Sequence, residues 1–178
     1  TATNGDVFIL VIQNYASTNI GFSLTIPTGA GIATIGNPSV STIMWTGSAA
    51  TSTFSNSVNW SNCSVPSCSA SIDAIVLAGP TSQPIVNINT AVKSMTINPS
   101  ATLTVNSGVV LDICGDFINN GQLRCAAGST VNFSGGSNQI ISGNFSGANK
   151  FSNFTVNKTA GVVTLGTNSI VDQDFRTA

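Results

Sequence analysis

Along this chain apolar and polar residues alternate with a period of two over short stretches, and nowhere do apolar residues recur at the 3.6 spacing of a helix face. The alternation predicts β-strands at 72–77, 85–88, 95–97, 103–105, 109–113, 131–133, 154–156 and 162–165. Asn, Gly, Ser or Pro fill the gaps, and many strands follow one another after about eight to twelve residues, which fits a sandwich, a barrel or a β-solenoid. Three echoes favour the solenoid. Ser94-Met95-Thr96-Ile97-Asn98 returns as Asn153-Phe154-Thr155-Val156-Asn157, Leu103-Thr104-Val105 as Val163-Thr164-Leu165, and Asp116-Phe117 as Asp174-Phe175, each about 59 residues on. A unit of that length makes two or three coils, with apolar side chains stacked inward and Thr, Ser and Asn outside. Residues one unit apart, such as Met95 and Phe154, are then expected to face the same interior. Asn98, Asn106 and Asn157 are expected at turns, ahead of the alternative of Asn ladders between coils.

The N-terminal part has a different texture. A continuous apolar strand at 7–12 and a second at 22–26, separated by polar residues, read as the last hairpin of a β-sandwich whose other strands lie elsewhere, because a lone hairpin is marginal. The Gly- and Pro-rich stretch that follows reads as a linker. The expected organisation is therefore a terminal hairpin of an incomplete sandwich at 1–28, a linker at 29–44 and a solenoid at 45–178. A chain that opens on Thr1, with neither Met nor a signal-peptide pattern, reads as processed or as an excised segment.

Composition narrows the function. Charged residues make up 6% of the chain and the net charge is -1, whereas an ordinary domain is roughly a quarter charged. Ser, Thr and Asn supply the polar surface instead. Five scattered cations cannot form the basic footprint a nucleic acid requires. The longest early apolar run, 7–12, is far shorter than the about 20 residues of a membrane helix. With 42% hydrophobic residues the chain has enough material for a core.

The cysteines fall as two close pairs, Cys63 with Cys68 and Cys114 with Cys125. Even number and close spacing predict two local disulfides and an oxidising compartment. Asn119-Asn120-Gly121 is a tight-turn signal that would set Cys114 and Cys125 opposite one another on neighbouring strands. A four-thiolate zinc site is the rival, but neither pair has Cys-x-x-Cys spacing; four buried thiols are a third possibility.

His is absent, which excludes a histidine-based triad and His-ligated metal and leaves catalysis to the aspartates. Asp112 with Asp116, and Asp172 with Asp174, are the clusters, with Arg124 and Arg176 near in sequence. Carboxylate pairs of this kind serve polysaccharide hydrolysis, or calcium binding. Asp116 and Asp174 occupy equivalent places in the echo, so a structural role in the repeat is expected ahead of an active site, and no resident cofactor is expected, calcium being the minority alternative. Trp45, Phe54 and Trp60 offer flat faces for a glycan platform, against which stands their use as a cap over an open first coil. The phenylalanines from Phe117 to Phe154 read as a stacked interior. Thr102 and Thr104 are not repeated coil by coil as an ice-binding face requires. Asn-x-Ser/Thr sequons at Asn59, Asn62, Asn132, Asn144, Asn153 and Asn157 are what this composition produces by chance.

Trp45-Thr46-Gly47, Asn59-Trp60-Ser61, Val65-Pro66 and Asp73-Ala74-Ile75-Val76-Leu77, then Met95-Thr96-Ile97-Asn98, Ala101-Thr102-Leu103-Thr104-Val105, Gly115-Asp116-Phe117-Ile118-Asn119-Asn120-Gly121, Thr130-Val131-Asn132-Phe133-Ser134-Gly135 and Gln139-Ile140-Ile141-Ser142-Gly143 follow one another in this chain. The succession resembles repeat regions of very large secreted surface proteins of Bacteroidota. The resemblance covers residues 45 to about 170, and residues 6–26 more weakly resemble closing strands of β-sandwich domains in the same proteins. It implies a right-handed parallel β-helix on cell-surface proteins exported by the type IX secretion system, many linked to gliding motility and adhesion. It implies no catalytic residues. The partners it implies are other domains of a longer parent chain, secretion or motility machinery, or surface glycans. The sorting domain of such a cargo does not occur in the sequence, which reads as a fragment. The expected function is a non-catalytic, secreted, adhesin-like stalk or display scaffold, with a carbohydrate-binding module or a polysaccharide-degrading β-helix enzyme as the alternatives.

Overall fold

Short strands with apolar residues on one face must stack that face against something, and here each strand stacks on the strand one coil earlier. The computed structural model describes residues 42–69 and 72–177, all within the compact unit Pro38–Ala178. In chain order the strands are β1 (Thr42–Met44), β2 (Asp73–Val76), β3 (Ile85–Val86), β4 (Thr90–Val92), β5 (Met95–Ile97), β6 (Thr102–Val105) and β7 (Val110–Ile113). They continue with β8 (Phe117–Asn119), β9 (Gln122–Cys125), β10 (Thr130–Gly135), β11 (Gln139–Gly143), β12 (Asn153–Lys158), β13 (Val163–Leu165) and β14 (Phe175–Thr177). They form three sheets, ordered β1-β2-β5-β8-β11-β13, β4-β7-β10-β12-β14 and β3-β6-β9. Every pairing between these strands is parallel. The fold is a parallel β-solenoid, as expected.

Register shows why the apolar positions matter. Ile43, Ala74, Met95, Phe117, Ile141 and Leu165 stand one above another in the six-stranded sheet, so a coil consumes 21 to 24 residues from Ala74 onward. Leu111, Val131, Phe154 and Phe175 form the matching column in the five-stranded sheet. Both columns are buried until the last pass, where Leu165 and Phe175 are more than half exposed. Between them runs an aromatic stack: Phe117 meets Phe145 at 5.1 Å, Phe145 meets Phe151 at 4.9 Å, Phe151 meets Phe154 at 5.0 Å and Phe154 meets Phe133 at 4.9 Å. These offsets and edge contacts suit the ring quadrupoles, and each buried ring adds roughly 1.5–3 kcal/mol of apolar burial.

Corners keep the coils tight. At the corner between β8 and β9, a Cβ on Gly121 would press into the carbonyl oxygens of Asn98 and Ala101 in the coil below. Buried Asn119 closes this corner by accepting from the Gly121 N–H at 3.1 Å and donating to the Asn144 carbonyl at 2.6 Å. Asn98 and Asn106 occupy turns, their carbonyls accepting from the N–H of Ala101 and Val109, whereas Asn157 lies within β12, paired with Ser134, and not at a turn.

Two expectations change. Met95 and Phe154 face the same interior, as expected, but from different walls, Met95 in the six-stranded sheet and Phe154 in the five-stranded one. The 59-residue echo therefore spans two coils plus part of a third, and matches different faces instead of equivalent sites. Residues 42–44 are not linker, because β1 pairs with β2 and starts the solenoid. The sandwich hairpin at 1–28, and the linker up to 41, lie outside the described residues.

Candidate functional site

The aromatic trio is placed by a long excursion between β1 and β2. Thr53 bridges to Ile85 in parallel, giving the first coil its pass over the three-stranded sheet, while Trp45 bridges to Trp60. Asn59 holds the excursion closed: its amide donates to the carbonyls of Thr51 and Thr53, and its oxygen accepts from Ala49. Trp45 packs edge-on to Trp60 at 5.3 Å, and Phe54 edge-on to Trp60 at 4.9 Å. The indole N–H groups are spent internally, Trp45 on the Ser82 carbonyl and Trp60 on the Phe54 carbonyl. All three rings are at most 1% exposed, so no face is open to a sugar. The expected glycan platform of Trp45, Phe54 and Trp60 is corrected: the three rings lie in the buried core of the first coil.

The cysteines are corrected too. Cys68 pairs with Cys114, their Cα atoms 5.7 Å apart, while Cys63 is an exposed free thiol and Cys125 a half-buried one. The turn at Asn119-Asn120-Gly121 does not fold β8 and β9 into a hairpin, since they belong to different sheets. Cys125 ends β9 in register with Val105 and Val86, against the core, whereas Cys114 follows the inward Ile113 of β7. Burial pushes the Cys125 thiol above its ordinary 9.0. Cys68 comes over β4, with its sulfur 3.2 Å from the Val92 carbonyl oxygen, and so staples the excursion to the second full coil.

Asp112 joins this pair. It stands on β7 in register with Asn132, which donates to its Oδ1 at 2.7 Å, and Ser134 donates to Oδ2 at 3.0 Å. The sulfurs of Cys68 and Cys114 and a carboxylate oxygen of Asp112 all lie within 4.8 Å of one another.

Three further carboxylates serve the frame. Asp116 accepts from the Ile140 N–H at 2.8 Å in the next coil. Asp172 pairs with Lys150 at 2.8 Å and Asp174 with Arg176 at 2.6 Å, all four side chains well exposed. Arg124 donates to Gln122 on its own strand.

Compared with known protein families, curated proteins and solved structures, the chain matches none. Its chemistry is therefore read from the residues alone.

Sequence reasoning missed one polar group, the buried Gln139. It donates to the carbonyls of Ile113 and Gly115 and accepts from the Lys158 ammonium at 2.7 Å. Lys158 also donates to the Ser137 carbonyl at 2.8 Å. Desolvation, then the like charge of Lys93, holds Lys158 below its ordinary 10.5. A glutamine opening an apolar strand was the available signal. No helix among the described residues is long and apolar enough to cross a membrane.

Proposed function

We propose that this chain is a non-catalytic segment of a secreted, cell-surface, adhesin-like protein, a rigid stalk or display scaffold carried out as type IX secretion cargo. The observation that carries the reading is the six-stranded parallel sheet whose inward column is buried without a break from Ile43 to Ile141. Each pass advances the stack by about 4.8 Å, so distance along the axis is set by the number of coils. Each coil contacts its neighbours and is locked to them by ladder hydrogen bonds and core contacts. A binding partner elsewhere in the parent chain is thereby held at a defined height. Support for a passive role comes from the side chains: the aromatic trio is sealed, and the six aspartates of the sequence include four whose carboxylates accept bonds that brace neighbouring coils or turns.

The test is a glycan-array and polysaccharide-depolymerisation screen of the purified 178-residue chain, with and without calcium, run beside limited proteolysis. The stalk reading expects no saturable binding, no product release and slow proteolysis within 72–177. Saturable binding or depolymerisation would replace it with a carbohydrate-binding module or a polysaccharide-degrading enzyme. Labelling of the native parent protein on intact cells checks the surface assignment; a protein inaccessible from outside would sink it.

A further inference from the structure

We propose that Cys68, Cys114 and Asp112 form a redox-gated zinc site: a covalent staple when oxidised, and a three-ligand site for a divalent cation when reduced. In the oxidised chain the two sulfurs are bonded to each other and both lie within 4.8 Å of an Asp112 carboxylate oxygen; once the bond is opened, the three have only to separate to the spacing that Zn–S of about 2.3 Å and Zn–O of about 2.0–2.2 Å require. Two thiolates with one carboxylate select zinc over the hard cations calcium and magnesium. The carboxylate is already aimed, held by Asn132 at 2.7 Å and Ser134 at 3.0 Å, the outer-shell support that metal ligands need. Ser134 Oγ also lies 3.3 Å from the Cys114 sulfur. Asn132 Oδ1 is buried without a hydrogen-bond partner beside the cluster, an orphan acceptor of the kind that an ordered water or hydrated ion satisfies. All three ligand residues are half-buried, so an ion has a way in and a water can take the fourth position.

The gate is a balanced exchange. A dithiol reductant gives two electrons and two protons to the Cys68–Cys114 bond, is itself closed to a disulfide, and leaves two thiols. Zinc then displaces both thiol protons and binds two thiolates and the Asp112 carboxylate, so the metal restores the link between the 45–72 excursion and β7. The zinc rival weighed on the sequence paired Cys63 with Cys68 and Cys114 with Cys125; the fold instead assembles Cys68, Cys114 and Asp112.

The experiment titrates zinc, against a chromophoric chelator, into the full chain in oxidised and reduced form, and repeats the reduced titration with cobalt to read thiolate-to-metal charge transfer. One equivalent is expected to bind the reduced chain with a sulfur–cobalt band, and none the oxidised chain. Ser134→Ala is expected to weaken binding roughly 10- to 100-fold and Asp112→Asn at least as much, while Cys63→Ser leaves it unchanged. Asp112→Asn retains both cysteines, and its circular dichroism in the oxidised state checks that it folds. Absence of stoichiometric zinc in the reduced chain, equal affinity in folded Asp112→Asn, or loss of the site in Cys63→Ser would overturn the proposal.

Discussion

Replacing Cys68 with serine removes the one covalent bond that reaches across coils among the described residues, and its cost follows from the loop it closes. Cys68 and Cys114 are 46 positions apart. The chain-entropy relation assigns a loop of that length about 14 cal/mol/K, or about 4 kcal/mol at 25 °C, through constraint of the unfolded chain. For a domain of this size a kcal/mol is worth about 2–4 °C, so the melting temperature should fall by about 8–16 °C. The assay is urea and thermal unfolding of wild type, Cys68→Ser and Cys114→Ser, all in a metal chelator so that zinc cannot replace the staple. The two single variants should be equally destabilised, and Cys63→Ser should stay within about 0.5 kcal/mol of wild type, as an exposed site does. Peptide mapping must recover the Cys68–Cys114 linkage. Recovery of Cys63–Cys68 and Cys114–Cys125 instead, or an unchanged urea midpoint in Cys68→Ser, refutes the reasoning.

Other outcomes test the core, the corners and the thiols. Phe117→Ala, in the middle of the aromatic stack, should lose about 3–5 kcal/mol in urea unfolding; a loss under about 1 kcal/mol would mean the stack is not the core. Gly143→Ala should cost more than Gly108→Ala: both have positive φ, at 103° and 72°, but an added Cβ meets the Asn119 backbone in the first and nothing within 4 Å in the second. The strain alone is worth about 1–3 kcal/mol, and equal losses would deny the close approach between coils. Cys63, exposed, should be alkylated well before Cys125, whose thiol burial holds above its ordinary 9.0. Because the unfolded chain releases that proton first, the Cys125 contribution to stability is present below about pH 9 and declines as pH rises further. A Cys125→Ala chain should show a smaller decline, measured by unfolding at pH 8 and pH 10.

All eight strands read from alternation are present, because alternation is what a half-buried strand requires of its side chains wherever it lies. The strands β1, β4, β8, β9, β11 and β14 were not delimited. At three or four residues, as in β8 and β9, a strand offers too few alternations to stand out, and Asn119-Asn120-Gly121 between them carries the signature of a hairpin. A turn signal says that the backbone bends, not which sheet the next strand joins. The same limit applied to Trp45, Phe54 and Trp60: aromatic chemistry suits a buried core and a glycan platform equally well, and only burial separates them.

By itself the sequence determined the all-β class, the inward stacking of Phe117, Phe133, Phe145, Phe151 and Phe154, and the lack of a basic or histidine-based chemistry, since these depend on residue type and local spacing. Tertiary structure alone decided which residues became neighbours across coils. Each coil adds 21 to 24 residues between stacked positions, and this uneven count brings Cys68 to Cys114 and Asp112 while carrying Cys125, eleven residues further on, to the core side of another sheet. Proximity along the chain and proximity across a solenoid are set by different periods, and the cysteine chemistry follows the second.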